Sequence, residues 1–313
     1  LQSKNYNTNV TETSNINDLV FTSFPKITKN GLYNNYEFII KNSNTNSKNS
    51  LSFKNHESAY LSGLFQFNSS YPLTKNNQKF KKIINPRLSL KVAPRHTKKY
   101  RDDYIKIDVN NIYSLNRVKK SDSIEGGMSL TYGNDFSIYE QENLNEIFNF
   151  KLANNLRFKN NNDLTSSSQI DQKVSSVLSE ISYDPNDIFK ITYNSSIRNN
   201  LKNMNYENLI TEIKINNVVT SFEYFNENNS LNNYSYVKNT TKLILDESNN
   251  LSFSTRRNKI TDLTEYYNLA YQYKNDCLEA SIEYNKDYYS DKDIKPNESI
   301  FLKFAILPFS KNN

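Results

Sequence analysis

The chain has no tryptophan, five glycines, seven prolines, two histidines and one cysteine in 313 residues. Each scarcity excludes something. A single cysteine, Cys277, cannot form a disulfide framework within the chain. The two histidines, His56 and His96, make no metal-spaced pair, so neither a zinc site nor a histidine-based triad has support. There is no Walker loop, and Gly126-Gly127 lacks the third glycine and following helix of a dinucleotide fingerprint. No run of about eighteen apolar residues exists, which excludes a transmembrane helix. Helix-like windows carry too many Asn, Ser, Thr and β-branched residues for good intrinsic helicity. Neither sign of charge dominates, with 39 Lys and Arg against 33 Asp and Glu. That mixture is unlike the basic stripe of a nucleic-acid binder, and no nucleic-acid partner is expected. Composition alone supplies no physical reason for so few glycines.

What is present is aromatic and alternating. Hydrophobic residues make up only 36% and mean hydropathy is −0.78, yet the chain holds 23 Tyr and 18 Phe. Disordered chains are poor in aromatics, so disorder is not expected for most of the length. Tyr267, Leu269, Tyr271 and Tyr273 alternate with Asn268, Ala270 and Gln272. Leu278, Ala280, Ile282 and Tyr284 alternate with Glu279, Ser281, Glu283 and Asn285. Ile300, Leu302, Phe304 and Ile306 alternate with Phe301, Lys303 and Ala305. Strand side chains point to opposite faces in turn, so each segment has one apolar face and one polar face. Strands of about ten residues, aromatic outside and charged inside, predict an all-β, antiparallel transmembrane β-barrel.

About fifteen strands are expected on turn signals. They include Leu32 to Ile40, Ile83 to Val92 and Ser123 to Tyr132, while Phe148, Phe150 and Leu152 mark one face of another. The first thirty residues and Lys41 to Ser50, rich in Asn, Ser and Thr, read as loops. In the second half, tight turns at 184–187, 216–217, 248–250 and 274–276 alternate with generally longer connections. In bacterial outer-membrane barrels short turns face the periplasm and long loops face outside. Cys277 and the C-terminus then fall on the periplasmic side.

No constellation points to catalysis, so neither enzyme activity nor a cofactor is expected. Glu279 and Glu283 share a face, which fits either paired acids or ordinary lumen carboxylates. Arg95, His96, Lys98, Lys99 and Arg101, followed by Asp102 and Asp103, fit a solvated loop or a site for an anionic ligand such as glycolipid phosphates. Cys277 beside a polar turn, at the start of a strand, is either an inert thiol or one half of a bond to a cysteine elsewhere.

Three blocks resemble the LptD family of outer-membrane lipopolysaccharide-assembly proteins, also called organic solvent tolerance proteins. They are Ile84-Asn85-Pro86-Arg87 through Pro94; Asp108-Val109-Asn110-Asn111 through Arg117 with Ile124-Glu125-Gly126-Gly127 through Gly133; and Tyr273-Lys274-Asn275-Asp276-Cys277 through Pro296. The hairpin around Tyr183-Asp184-Pro185-Asn186-Asp187 is similar too, and the likeness spans roughly residues 60 to 308. The resemblance implies that residues 1–313 are a partial outer-membrane barrel, the C-terminal portion of a longer protein. The first strands and an N-terminal periplasmic jelly-roll domain would lie outside this chain. The opening Leu1-Gln2, with no initiator Met, carries the same expectation. Alone, an incomplete barrel with two open edges is expected to aggregate.

The resemblance also implies a function and partners. The cargo would be lipopolysaccharide, handed over by a periplasmic LptA-like bridge through the missing N-terminal domain. An LptE-like lipoprotein would plug the lumen, and lipid would leave through a lateral seam between first and last strands. The seam strand would carry Ser299, Phe301, Lys303, Ala305 and Pro308, and lumen-facing candidates are Lys190, Glu212, Lys214, Glu279 and Glu283. Cys277 matches the family's C-terminal cysteine, which bonds to the N-terminal domain. Many members have two adjacent cysteines there, whereas this chain has Cys277-Leu278. The rival expectations are a general porin or uptake barrel, and a surface β-protein soluble without detergent.

Overall fold

The alternating segments become strands, and turn chemistry sets their ends. A computed structural model describes residues 2–4, 10–50, 56–94, 100–118, 121–288 and 297–306. Among these residues there is no helix, and eighteen strands form one sheet. They are β1 (Gln2–Lys4), β2 (Val10–Thr22), β3 (Lys26–Ile27), β4 (Tyr33–Lys48), β5 (Ser58–Ser70), β6 (Leu73–Asn76), β7 (Phe80–Ala93), β8 (Gly127–Glu140) and β9 (Glu146–Arg157). There follow β10 (Val177–Asn186), β11 (Phe189–Ile197), β12 (Met204–Ile215), β13 (Val218–Asn228), β14 (Asn233–Ile244), β15 (Asn249–Asn258), β16 (Thr264–Lys274), β17 (Leu278–Asp287) and β18 (Asn297–Ile306). Three of them, β1, β3 and β6, have four residues or fewer. The other fifteen match the number expected from the turns and are long enough to cross a bilayer.

Every pairing is antiparallel and follows chain order. β2 pairs with β4, β4 with β5, β5 with β7, and from β7 each strand pairs with the next as far as β18. β3 and β6 continue β2 and β5 past Pro25 and Pro72, which have no N–H to give the ladder.

The register separates two faces. Leu88, Val92, Tyr132, Leu152, Leu269, Tyr271, Ile282, Leu302 and Phe304 are exposed on the outer one. Lys41, Ser43, Gln66, Ser89, Lys91, Thr131 and Asn155 are buried on the inner one. Polar inside and apolar outside is the reverse of a water-soluble sandwich and is the pattern of a membrane barrel.

In the second half the turns at 187–188, 216–217, 245–248 and 275–277 are at one end and the generally longer connections at 198–203, 229–232 and 259–263 at the other. Asparagine and aspartate close most of them. Asn77 Oδ1 accepts from the N–H of Lys79 and Phe80 at 3.0 and 2.6 Å, and Asn186, Asp246 and Asn275 cap their hairpins the same way. Such side chains imitate a backbone turn, and Asn216 itself takes a positive φ of 49°. Asparagine and aspartate side chains thus close turns that contain no glycine.

Three expected boundaries move. Residues 10–22 and 41–48 are strands, not loops, the latter continuing the strand expected at Leu32 to Ile40: Ser43, Thr45 and Ser47 point inward, so their polarity marks a lumen face rather than a connection. The strand expected at Ser123 to Tyr132 begins only at Gly127, whose φ of +95° turns the chain into β8, because Ser123, Ile124 and Glu125 are drawn inside. Cys277 precedes β17 rather than beginning it, because Asn275 caps the turn across it.

Candidate functional site

The lumen is partly filled by the chain itself. The connection between β7 and β8 folds inward, and Ile105, Ile107, Val109, Ile112 and Val118 bury against Ala153, Leu178 and, from the β9–β10 connection, Leu164 and Ile170. Hydrogen bonds tie this internal plug to successive strands. Lys41 Nζ of β4 donates to Ser121 O at 2.7 Å, Gln66 Nε2 of β5 to Tyr113 O at 2.7 Å, and Lys91 of β7 to Ser114 O. Arg117 Nη1 reaches Asn155 Oδ1 of β9 at 2.9 Å, and Asn110 Nδ2 meets Glu180 of β10 at 3.3 Å. Farther round, Lys106 Nζ lies 4.5 Å from the ring centre of Tyr206 on β12 and 5.6 Å from that of Phe225 on β13. A single segment that touches walls from β4 to β13 requires the sheet to curl around it.

At the centre of the plug three cations share one carboxylate. Glu125 accepts from Arg117 Nε at 2.7 Å and from the Nη2 atoms of Arg117 and Arg157, with Lys91 Nζ at 4.0 Å. All four side chains are at most 2% exposed. Burial alone would push the Glu125 carboxyl up, but the charges of Arg117 and Lys91 outweigh it and hold the group well below the usual carboxylate range. Ser129, Thr131 and Asn155 supply further acceptors to Arg117. Arg157 also donates to the carbonyls of Ile170 and Gly126, both at 2.9 Å, so Glu125 joins both inserted loops to the wall. Gly133 of β8 leaves the space that Tyr113 occupies, since a Cβ there would collide with the Tyr113 hydroxyl and Leu152 O.

The opposite sector is different. Among the described residues no register pair joins β18 to β1 or β2; β18 pairs with β17 alone, and β2 with β4 and a short β1. Within the described residues the ladder thus shows no bonding between its last strand and its first long one. Ser299, Phe301, Lys303 and Ala305 face inward on β18, opposite Asn285, Glu283, Ser281 and Glu279. Outward, Ile300 and Phe304 are 71% and 72% exposed. Lys303 Nζ bonds Glu283 at 2.6 Å, and Gln272 Nε2 donates to Glu279 at 2.6 Å. Pro308 lies outside the described residues, as do Arg95, His96, Lys98 and Lys99 of the basic cluster.

Lys190, Glu212 and Lys214 also face the lumen, near the short-turn end. Lys190 stands opposite Glu212 in the register and pairs with Asp184 at 3.0 Å. Glu212 and Lys214 are five strands away from Glu279 and Glu283 and Lys190 is six, about 24 to 29 Å along the wall at ordinary strand spacing, so the candidates form two groups rather than one. Cys277 is exposed in a short turn. The plug and its charge cluster escape a sequence reading. The Ile105-x-Ile107-x-Val109 alternation was a signal for burial, but without neighbouring turn signals it names no partner.

Comparison with known proteins adds a family. A family model described as LptD, LPS transport system D, matches residues 20–256. That span includes the Pro86 and Gly126 blocks and the Pro185 hairpin, and stops short of the Cys277 block. No curated protein matches the chain. Among solved structures, a mutant of the Rh. blastica porin aligns with a TM-score of 0.39 at 9% identity, covering 93% of this chain and 89% of the porin. Salmonella typhi OmpF in complex with daunomycin aligns with a TM-score of 0.36 at 11% identity, covering 98% and 100%. The family match spans well over half of the sequence, and the protein is a member of the LptD family of the bacterial outer membrane.

Proposed function

We propose that this chain inserts lipopolysaccharide into the outer leaflet through the gap between β18 and β2. The observation that carries this reading is the open ladder: fourteen or more consecutive antiparallel pairings continue around the wall, and the described residues pair nothing across β18 and β2. A membrane barrel normally closes because hydrocarbon cannot satisfy free N–H and C=O groups. A seam with few ladder bonds opens at lower cost than any other part of the wall. Beside it the inner face is polar, with Glu279, Glu283, Lys303 and Ser299, suited to sugars and phosphates, while Ile300, Leu302 and Phe304 meet acyl chains outside. No bond chemistry is required.

The partners belong to the same proposal. An LptA-like bridge would deliver lipid at the short-turn end through an N-terminal domain, to which Cys277 would be tied by a disulfide. An LptE-like lipoprotein would share the lumen with the chain's own plug. The test is photo-crosslinking in native cells, with a reactive residue at successive positions from Leu278 to Asn285 and from Ile300 to Ile306. Lipopolysaccharide adducts recurring at inward and seam positions are expected. A protein present in the outer membrane but giving no adduct at any position, and conducting solutes instead, would establish a general porin.

A further inference from the structure

The inner wall carries a band of aromatic rings that starts under the plug and runs on past it. Register places Tyr206, Phe225, Tyr234, Tyr236 and Tyr266 on the inward faces of β12, β13, β14 and β16, all toward the end with the longer loops. Phe225 and Tyr236 stack with centroids 5.3 Å apart, and Tyr234 lies 5.4 Å from Tyr236. Arg256 of β15 then extends the band, its guanidinium carbon 5.3 Å from the ring centres of both Tyr236 and Tyr266. From β12 to β16 the band follows the wall for about 19 Å at ordinary strand spacing.

Two further features make the band a surface with defined chemistry. Carboxylates fix the phenols: Tyr236 Oη donates to Glu223 at 2.9 Å, and Tyr234 Oη to Glu265 at 3.0 Å, while Glu265 also holds Arg256. Lys238, inward on β14 between Glu223 and Arg256 in the register, makes no ion pair among the described residues. Tyr206 is buried beneath Lys106, which also lies over Phe225, whereas Phe225, Tyr234, Tyr236 and Tyr266 are only half-buried. Packing of the plug therefore explains Tyr206 and bears on Phe225, but does not explain Tyr234, Tyr236 and Tyr266.

We infer that this band is a saccharide-binding track, on which pyranose rings stack their C–H faces while their hydroxyls and charged substituents meet Glu223, Lys238 and Arg256. Tyrosine suits the task because it offers a large rigid face and a polar rim. The inference rests on the lipopolysaccharide reading, since it assigns the path of the sugar portion, but it concerns a different sector of the wall from the seam.

The absence of tryptophan gives a direct test. Y236W, in the full membrane-inserted protein, carries the chain's single indole on the track. It is titrated with core oligosaccharide freed of lipid by mild acid. Emission is expected to change saturably, and adding Tyr266→Leu in the same chain should weaken the midpoint at least tenfold. Phe222→Trp, outward-facing, should not respond. If Y236W does not insert, Tyr234→Trp takes its place. An unchanged emission, or an equal change with inorganic phosphate alone, would overturn the track. Lipopolysaccharide adducts at β18 with no response at the reporter would leave the seam standing and dispose of the track alone. Failure of the adducts with a saturable response would do the reverse.

Discussion

Replacing Glu125 with alanine should free the plug. The substitution leaves Arg117, Arg157 and Lys91 facing one another, each almost wholly buried and stripped of their shared carboxylate. Removing one partner of a buried ion pair costs about 3–5 kcal/mol, because the remaining charge stays desolvated. Near the middle of that range, the ratio of docked to undocked plug falls by about a thousandfold. Hydrogen exchange of residues 105–118 in membrane-inserted protein reads that ratio, and protease sensitivity of the longer-loop end provides a second measure. The double variant Glu125→Ala/Arg117→Ala should recover part of the loss, because it removes the cation most directly bound. Exchange unchanged within threefold in Glu125→Ala would refute the claim that this carboxylate holds the plug. The pH dependence has a fixed sign. Glu125 has a folded pKa held below its unfolded value, so its contribution is complete above the ordinary carboxylate range. It fades as pH falls from there toward the depressed folded pKa, and this group adds no change between pH 6 and 8.

Other outcomes follow from the same geometry. Gly133→Val should lower the urea midpoint by an amount corresponding to about 1–3 kcal/mol, since its side chain must displace Tyr113 or the β9 backbone; Tyr113→Leu in the same chain should restore part of it. A cysteine pair locking β18 to β2, in a Cys277→Ser background, should stop surface delivery of lipopolysaccharide without affecting insertion of the protein. Normal surface lipopolysaccharide in the locked form would count against the seam. Cys277→Ser itself should shift barrel stability by less than about 0.5 kcal/mol, given its exposed turn, and after reduction of its disulfide a maleimide should label the wild-type thiol from the short-turn end only. Lys303→Gln should likewise cost no more than about 1 kcal/mol in unfolding, because its pair with Glu283 is exposed.

The barrel was legible in the strands whose outer face is aromatic. Tyr267, Leu269, Tyr271 and Tyr273 alternate with polar residues, and β16 places them as the alternation requires. Residues 10–22 and 41–48 were illegible for a related reason. When the interior is polar, buried Ser43, Thr45 and Ser47 look like loop residues, and burial no longer tracks hydrophobicity. The inward plug was hidden more deeply. Arg117, Glu125 and Arg157 lie up to 40 residues apart, and only the closing of β8 against β9 brings them together. Local pattern carries no information about such a meeting.

The plug has a mechanical consequence. Its bonds and ring contacts brace the wall from β4 to β13, whereas among the described residues β14 to β18 have neighbours only along the ladder. Stiffness is thus distributed unevenly around the circumference. A load applied anywhere, by lipid arriving from below or by a partner pressing on the rim, will be taken up as bending in the unbraced arc. That arc ends at β18, so the filled side of the barrel acts as a fixed frame that directs deformation to the last strand.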